Sequence, residues 1–411
     1  MNAVLILVGL LVLSYLGSFL VGDRSVRGIG LPSGVEYVAL GYVLGPRALD
    51  LVAGDNLAAF EPVVQVALGW LAFVVGLDFG FAGDKRVRAG SLALGTVGAL
   101  MTGTAAAAAT WFTMAWLHVG GAPTDRILVA GGVGAACSQT TRHAVRWVVD
   151  RYHARGPLAD RIDEIAHADD LLPLLAVAVL FAVEPTREVA LKVPLRDWPA
   201  LTIVLGLLLG AGAALLLRSE MPIEDTWAVL FGVALIAIGT AARLAISTLT
   251  VSFVMGLTVS LLTRHGAELR AMVSPTERPV LLPALVLAGA RIDFKAAPSL
   301  PWIAAAAIGA RLLAKILTGW LLAASSRPAR KAGPLVGLAL MSSGAIAMCI
   351  GLAFALRFPG PVGDTVLVVA ALTATVGEFV GPLRLRRALV SAGEIKDGVA
   401  PTESASGGAV A

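Results

Sequence analysis

Asp163, Glu164, His167, Asp169 and Asp170 lie within eight residues of one another, at the head of the stretch DEIAHADDLLPLLAVAVLFAVE (163–184). The rest of that stretch is apolar enough to lie in a bilayer. There an ionisable side chain costs roughly 2.5–3.5 kcal/mol on insertion scales, so it faces a cavity or a partner. A buried carboxylate must take up a proton or neutralise a cation. Two adjacent aspartates in a membrane helix therefore point to ion and proton handling. Structural ion pairing is the plainer alternative, but it does not account for five ionisable groups in eight residues.

Three basic residues also fall inside apolar stretches: Arg142, Arg311 and Lys315. At 1.5 Å per residue, Asp170 lies roughly 10 Å inward from Asp163, just short of the bilayer midplane. Arg142, Arg311 and Lys315 fall close to that depth in their own segments, as charges do when they neutralise one another in a low dielectric. Two polar, glycine-interrupted patches accompany them: CSQTTRH (137–143), preceded by Gly131, Gly132 and Gly134, and MSSGAIAMCIG (341–351). Interruptions at matching places in two halves mark unwound membrane helices at an inverted-repeat site. VVGLDFG (74–80) and LAGARIDF (287–294) repeat at the same seven-span offset.

The elements that must position these residues are membrane helices. The chain has 411 residues, 57% of them hydrophobic and 15% charged, where a soluble domain is nearer a quarter charged. Thirteen apolar stretches are predicted as spans: 3–21, 33–51, 61–81, 91–118, 126–149, 163–184, 198–217, 226–242, 245–263, 278–292, 300–324, 333–357 and 362–386. The odd-numbered loops and the tail hold more than twice the Lys and Arg of the even-numbered loops. This predicts an external N-terminus and a cytoplasmic C-terminus. The net charge of +4 belongs to those loops and gives no reason to expect nucleic acid. The N-terminal apolar run has no preceding Lys or Arg and reads as a first span, not as a cleaved leader. Cys137 and Cys349 both lie in apolar segments and imply no disulfide. Residues 1–389 are expected to form one membrane domain and 390–411 a disordered tail.

Several motifs resemble the monovalent cation:proton antiporter superfamily, on its Kef-type side. GLPSGVEYVALGYVLGP (30–46) is similar to the family's second-helix signature and LGWLAFVVGLDF (68–79) to its third-helix ending. LLPALVLAGARIDF (281–294), RLLAKILTG (311–319) and TVGEFVGPLRLRRAL (375–389) resemble later helices in the same order. The resemblance implies an all-α fold of about thirteen helices, with a dimerising scaffold and a mobile core built on two crossed, unwound helices. It implies that Asp170 binds the cation or a proton and that Asp169 pairs with Lys315 when no cation is bound. Thr140, Thr141 and Ser138 match the polar positions of the first broken helix. This chain departs from the pattern at Gln139, Arg142 and His143, and has Ser343-Gly344-Ala345 where Kef-type members often carry Arg-Gly-Glu.

The resulting expectation is a secondary antiporter of the plasma membrane, acting as a homodimer and exchanging Na⁺ or K⁺ for protons, with no cofactor. Proton and cation compete for Asp170, with Asp169 coupled to it. Lys315, Arg142 and Arg311 are the charge partners, Arg142 reaching the acidic pair. Asp163, Glu164 and His167 form a cytoplasmic proton access. Glu378 and Glu36 are read as polar positions inside spans, Asp78 and Asp293 as interfacial helix ends. A proton-coupled symporter on a related fold is the alternative. An intramembrane aspartyl protease is disfavoured, because adjacent aspartates on one helix point about 100° apart and make no two-sided dyad. GGVGAAC (131–137) is only a partial glycine-rich loop with no strand before it. No nucleotide-binding domain follows the last span, so regulation by one is not expected.

Overall fold

The computed structural model describes residues 34–395, apart from 53–56, 58, 80, 83–84, 184–193, 219–220, 264–265 and 296. The first expected span, 3–21, lies outside the described residues. Every later one has a helical counterpart. Apart from a two-residue hairpin, Phe81–Ala82 with Lys85–Arg86, the described regular structure is helical. Among the described residues seven helices are long and apolar enough to cross a membrane, or eight if one bent pair counts as a span.

The helices form two groups. One contains α1 (Val35–Leu44), α2 (Glu61–Asp78), α8 (Trp198–Leu216), α9 (Ile223–Leu244), α10 (Thr248–Leu262), α11 (Gly266–Val273) and α12 (Glu277–Arg291). The other contains α3 (Ala89–Trp116), α4 (Pro123–Ser138), α5 (Arg142–Arg151), α6 (Pro157–Ala168) and α7 (Leu171–Val183), with α13 (Leu300–Ser325), α14 (Arg327–Ala332), α15 (Ala345–Arg357) and α16 (Pro361–Ala392). We call these the scaffold and the core.

Glycine sets how closely the scaffold helices approach. A Cβ on Gly41 of α1 would lie 2.0 Å from the Val286 carbonyl of α12, and one on Gly289 of α12 would lie 2.0 Å from the Val38 carbonyl of α1. The α2–α10 crossing repeats this: Gly76 against Phe253 and Gly256 against Phe73, each at 2.2 Å. Exchanging the two halves turns one crossing into the other. Small residues permit such contact in lipid, where packing replaces the hydrophobic drive between helices.

Both expected interruptions are real. The fifth expected span is α4, a break at residues 139–141, then α5. The twelfth is a 3-10 segment, Pro334–Leu340, followed after a short break by α15 at a 57° bend. The two breaks cross, and the Thr141 amide donates to the Ser342 carbonyl at 2.9 Å. The sixth span begins at Pro157, earlier than expected, and turns at Asp169 and Asp170 between α6 and α7. Pro173 has no N–H to return to the Asp169 carbonyl, so regular hydrogen bonding is interrupted there. Residues 390–395, expected in the tail, belong to the packed structure: α16 runs through Ala392, Glu394 accepts from the Leu158 and Ala159 amides at 2.7 and 2.8 Å, and Ile395 is buried.

Candidate functional site: a buried acidic pair at the crossing of two broken helices

The α6–α7 turn delivers the two aspartates to different surroundings. Asp169 and Lys315 are 1% and 0% exposed, with Lys315 Nζ 3.0 Å from Asp169 Oδ2. Thr140, from the first break, joins them: its hydroxyl lies 2.6 Å from Asp169 Oδ2 and accepts from Lys315 Nζ at 2.6 Å. The Leu340 carbonyl of the second interruption lies 3.2 Å from the same hydroxyl. A buried charge survives when it is paired and hydrogen-bonded, and Asp169 is both. Gly337 lets this pair form, since a Cβ there would lie 1.8 Å from the Lys315 carbonyl.

Asp170 is also buried, yet it meets no basic side chain at ion-pair distance among the described residues. Its Oδ1 accepts from Gln139 Nε2 at 3.2 Å. Gln139 Oε1 in turn accepts from the Gly344 amide at 3.0 Å, so one neutral side chain ties Asp170 to both breaks. Asp170 lines a cavity of about 340 Å³ between scaffold and core, together with Thr141, Asp78, His167 and Glu277. The cavity lies at the end of the molecule where α2 finishes and α12 begins.

The other expected charge partners sit elsewhere. Arg142 does not pair with the aspartate turn. Its Nε lies 3.1 Å from Asp163 Oδ1, its Nη1 pairs with Asp78 and lies 3.4 Å from His167 Nδ1. As the first residue of α5 it is carried past the break and points toward the end of α2. Asp78, expected as an interfacial helix end, is thus a charge contact between scaffold and core. Arg311, fully buried, meets main-chain carbonyls: Cys137 and Gln139 at the first interruption (the latter at 2.8 Å) and Met341 at the second, at 3.0 Å. Broken helices leave carbonyls without intrahelical donors, and a guanidinium with five donors satisfies several at once. Arg311 therefore fastens the crossing, one helical turn from Lys315.

Of the expected proton-access residues, only His167 lines the cavity; it stacks on Phe79 with ring centroids 5.5 Å apart. Asp163 is held by Arg142 and Arg146, while Glu164, one residue on and about 100° around the helix, turns to Arg88 at 3.0 Å. Ser138 donates to Ala135 O at 2.8 Å within its own helix and does not reach the aspartates. Glu378 is buried where Gly377 and Gly381 press against the second break. Three contributors escaped the sequence reading: Gln139 as the partner of Asp170, Arg311 as the fastener of the breaks, and Glu277 on the cavity wall. Gln139 and Arg311 were visible as polar residues in apolar runs, but their partners come from remote segments. Glu277 stands at the foot of a span, where a carboxylate is unremarkable.

The comparisons bear on the fold and the family. The sequence model described as "sodium/hydrogen exchanger, transmembrane" matches residues 11–385. A structure of the sodium proton antiporter MjNhaP1 from Methanocaldococcus jannaschii at pH 8 superposes with a TM-score of 0.70 at 16% identity, covering 94% of this chain and 98% of that one. A second structure of MjNhaP1, from electron microscopy, gives 0.66 at 17% identity and covers 98% and 100%. No curated protein matches the chain. The structural likeness carries the fold, and the sequence match over nearly the whole length carries the family: the chain belongs to the transmembrane sodium/hydrogen exchanger family, secondary active antiporters of cations and protons.

Proposed function

We propose that the cargo site of this antiporter is Asp170, with Na⁺ or K⁺ and a proton competing for its carboxylate. The observation that carries this is the division of labour between the two aspartates. Asp169 already holds Lys315, while Asp170 has only the amide of Gln139 and opens on a cavity. A buried carboxylate with a neutral partner is costly when ionised, so it gains from either cargo. Thr141 stands on the cavity wall as a neutral oxygen donor beside it. In this reading Lys315 holds Asp169 in the cargo-free state and Arg311 fixes the crossing. The core carries the loaded site across the membrane. We further propose a homodimer in the plasma membrane with a cytoplasmic C-terminus. The arginines at the cavity end, Arg146 and Arg270, then face the cytoplasm, in keeping with the basic-loop rule. The protein acts as a transporter and not as an enzyme. Its Kef-type kinship rests on the motif order.

The test is cation-dependent proton flux in proteoliposomes. Asp170→Asn should abolish it for every monovalent cation, because the amide neither ionises nor titrates. Flux retained in that variant would remove the site assignment. Proton movement in the same direction as the cation would favour a symporter.

A further inference from the structure

Gln139 stands in the first break, 2% exposed, with both ends of its side-chain amide engaged. Its Oε1 accepts from the Gly344 main-chain N–H at 3.0 Å, and its Nε2 donates to Asp170 Oδ1 at 3.2 Å. The two ends are not interchangeable. A main-chain N–H can only donate, so the oxygen must face Gly344 and the amino group must face Asp170. Turning the amide over would set two donors against each other at 3.0 Å and leave a buried N–H without an acceptor. The main chain of Gln139 is held as well, its carbonyl accepting from Arg311 Nη2 at 2.8 Å. Gly344 cannot back away without parting the breaks, which meet again where the Thr141 amide donates to the Ser342 carbonyl at 2.9 Å. The direction of the Gln139 amide is therefore fixed from three sides.

We propose that Gln139 sets the affinity of the cargo site: as a fixed hydrogen-bond donor it withholds Asp170 Oδ1, and its own oxygen, from the incoming cation. The proposal rests on the reading of Asp170 as the cargo site. A hard cation collects oxygen ligands, and a glutamine beside a carboxylate could offer one. Here that oxygen is engaged by Gly344, and the positive end of the amide dipole points at the carboxylate. A cation at Oδ1 would meet an N–H where it needs an oxygen. It is confined to Oδ2, with Thr141 on the same cavity wall and water completing its shell. The same contact makes the empty site tolerable, since an ionised Asp170 keeps one donor when the cation has left. Cargo therefore binds against a resident competitor and leaves more readily than it would from a carboxylate with no donor. The residue at position 139 sets the balance between loading and release.

The test uses the full chain, in liposomes for sodium-dependent proton flux and in detergent for the rise in melting temperature that sodium produces, at an alkaline pH where KM no longer changes with pH. Gln139→Met, of similar length and with no donor, should lower the apparent KM for sodium roughly tenfold, the effect of losing one hydrogen bond to a charged group. Vmax should fall with it, because the cation leaves more slowly. A residue that only held the breaks together would, once removed, raise KM or leave it unchanged, and either result overturns the proposal. Gln139→Glu keeps the acceptor for Gly344 and puts an oxygen in place of the donor, so it carries the test should the methionine variant fail to fold. Its KM should fall further than that of Ala271→Glu, which adds the same charge elsewhere on the cavity wall. Equal KM values in those two variants overturn the proposal. Asp170→Asn separates the two readings. If it abolishes sodium stabilisation while Gln139→Met leaves KM unchanged, this proposal alone is overturned. Sodium stabilisation that survives Asp170→Asn overturns the cargo-site reading and this proposal with it.

Discussion

Asp169 and Lys315 lie 146 positions apart in sequence, and their partnership is the most consequential pairing in the molecule. Both are fully buried, so removing one leaves the other charged in a low dielectric, at a cost of about 3–5 kcal/mol. Lys315→Met is therefore expected to lower the melting temperature sharply in detergent, and adding Asp169→Asn should recover much of the loss. If the double variant melts no higher than the single one, the pair is not what holds these residues. The sequence showed the types and depths of these residues, because ionisable groups in apolar runs stand out. It did not show how they sort. Arg142, Arg311 and Lys315 reach similar depths, yet Lys315 takes a carboxylate, Arg311 takes carbonyls, and Arg142 is carried to Asp78 and Asp163. Depth is one coordinate, and the direction in which a side chain leaves its helix depends on breaks whose angles the sequence does not encode locally.

At the scale of the elements, the two interruptions were legible as glycine-rich polar patches, and their crossing depends on one missing side chain. Gly344 sits in extended backbone at φ −121°, which any residue adopts, so conformation does not demand glycine there. Space does: a Cβ at Gly344 would lie 2.4 Å from Thr141 Oγ1 and 2.5 Å from Thr141 Cβ. Gly344→Val should therefore force the breaks apart, pull the Gly344 amide from Gln139 and release Asp170 from its partner. The expected outcome is loss of sodium-dependent proton flux in protein that still elutes as a single species. Thr141→Ala in that background removes the hydroxyl but keeps the Cβ and should not rescue. Thr141→Gly removes both and should restore part of the flux. Rescue by alanine as complete as by glycine would show that the hydroxyl, and not the close approach, is at fault. The turn at Asp169 and Asp170 was harder to read. Pro173 stood inside the expected span 163–184, where a proline interrupts the helix, but prolines are tolerated in membrane helices, and the residue type does not say whether the chain kinks or which residues turn out.

The whole molecule joins two packed groups along a seam, and α2 runs the length of it. Toward its C-terminal end, Val74, Leu77 and Asp78 line the cavity that reaches Asp170. Toward its N-terminal end, Glu61, Gln65 and Leu68 line a second cavity of about 540 Å³, shared with Ser247 and Arg357. Between them Leu71, Ala72 and Phe73 of α2 are buried, and across the seam the Thr250 hydroxyl of α10 donates to the Leu174 carbonyl of α7 at 2.5 Å. The seam is bridged by charge at one end, Arg142 to Asp78 and His143 to Glu277, and at the other by Arg291 donating to the Ala355 carbonyl at 3.0 Å. Two cavities on one helix with a closed middle make a path open to one face at a time, and the structure holds Asp170 on the side where α2 ends. The native cysteines, Cys137 and Cys349, are buried and should stay silent toward a charged, membrane-impermeant thiol reagent. Ala271→Cys, on the first cavity, should then be modified from the cytoplasmic face, and Ser247→Cys, on the second, from the opposite face. Sodium should protect Ala271→Cys more than Ser247→Cys, because only the first cavity reaches the carboxylate. Modification of both cysteines from one face would contradict this arrangement of the seam. Equal protection of the two by sodium would mean that the second cavity also communicates with Asp170 and that the closed middle of α2 is not a barrier.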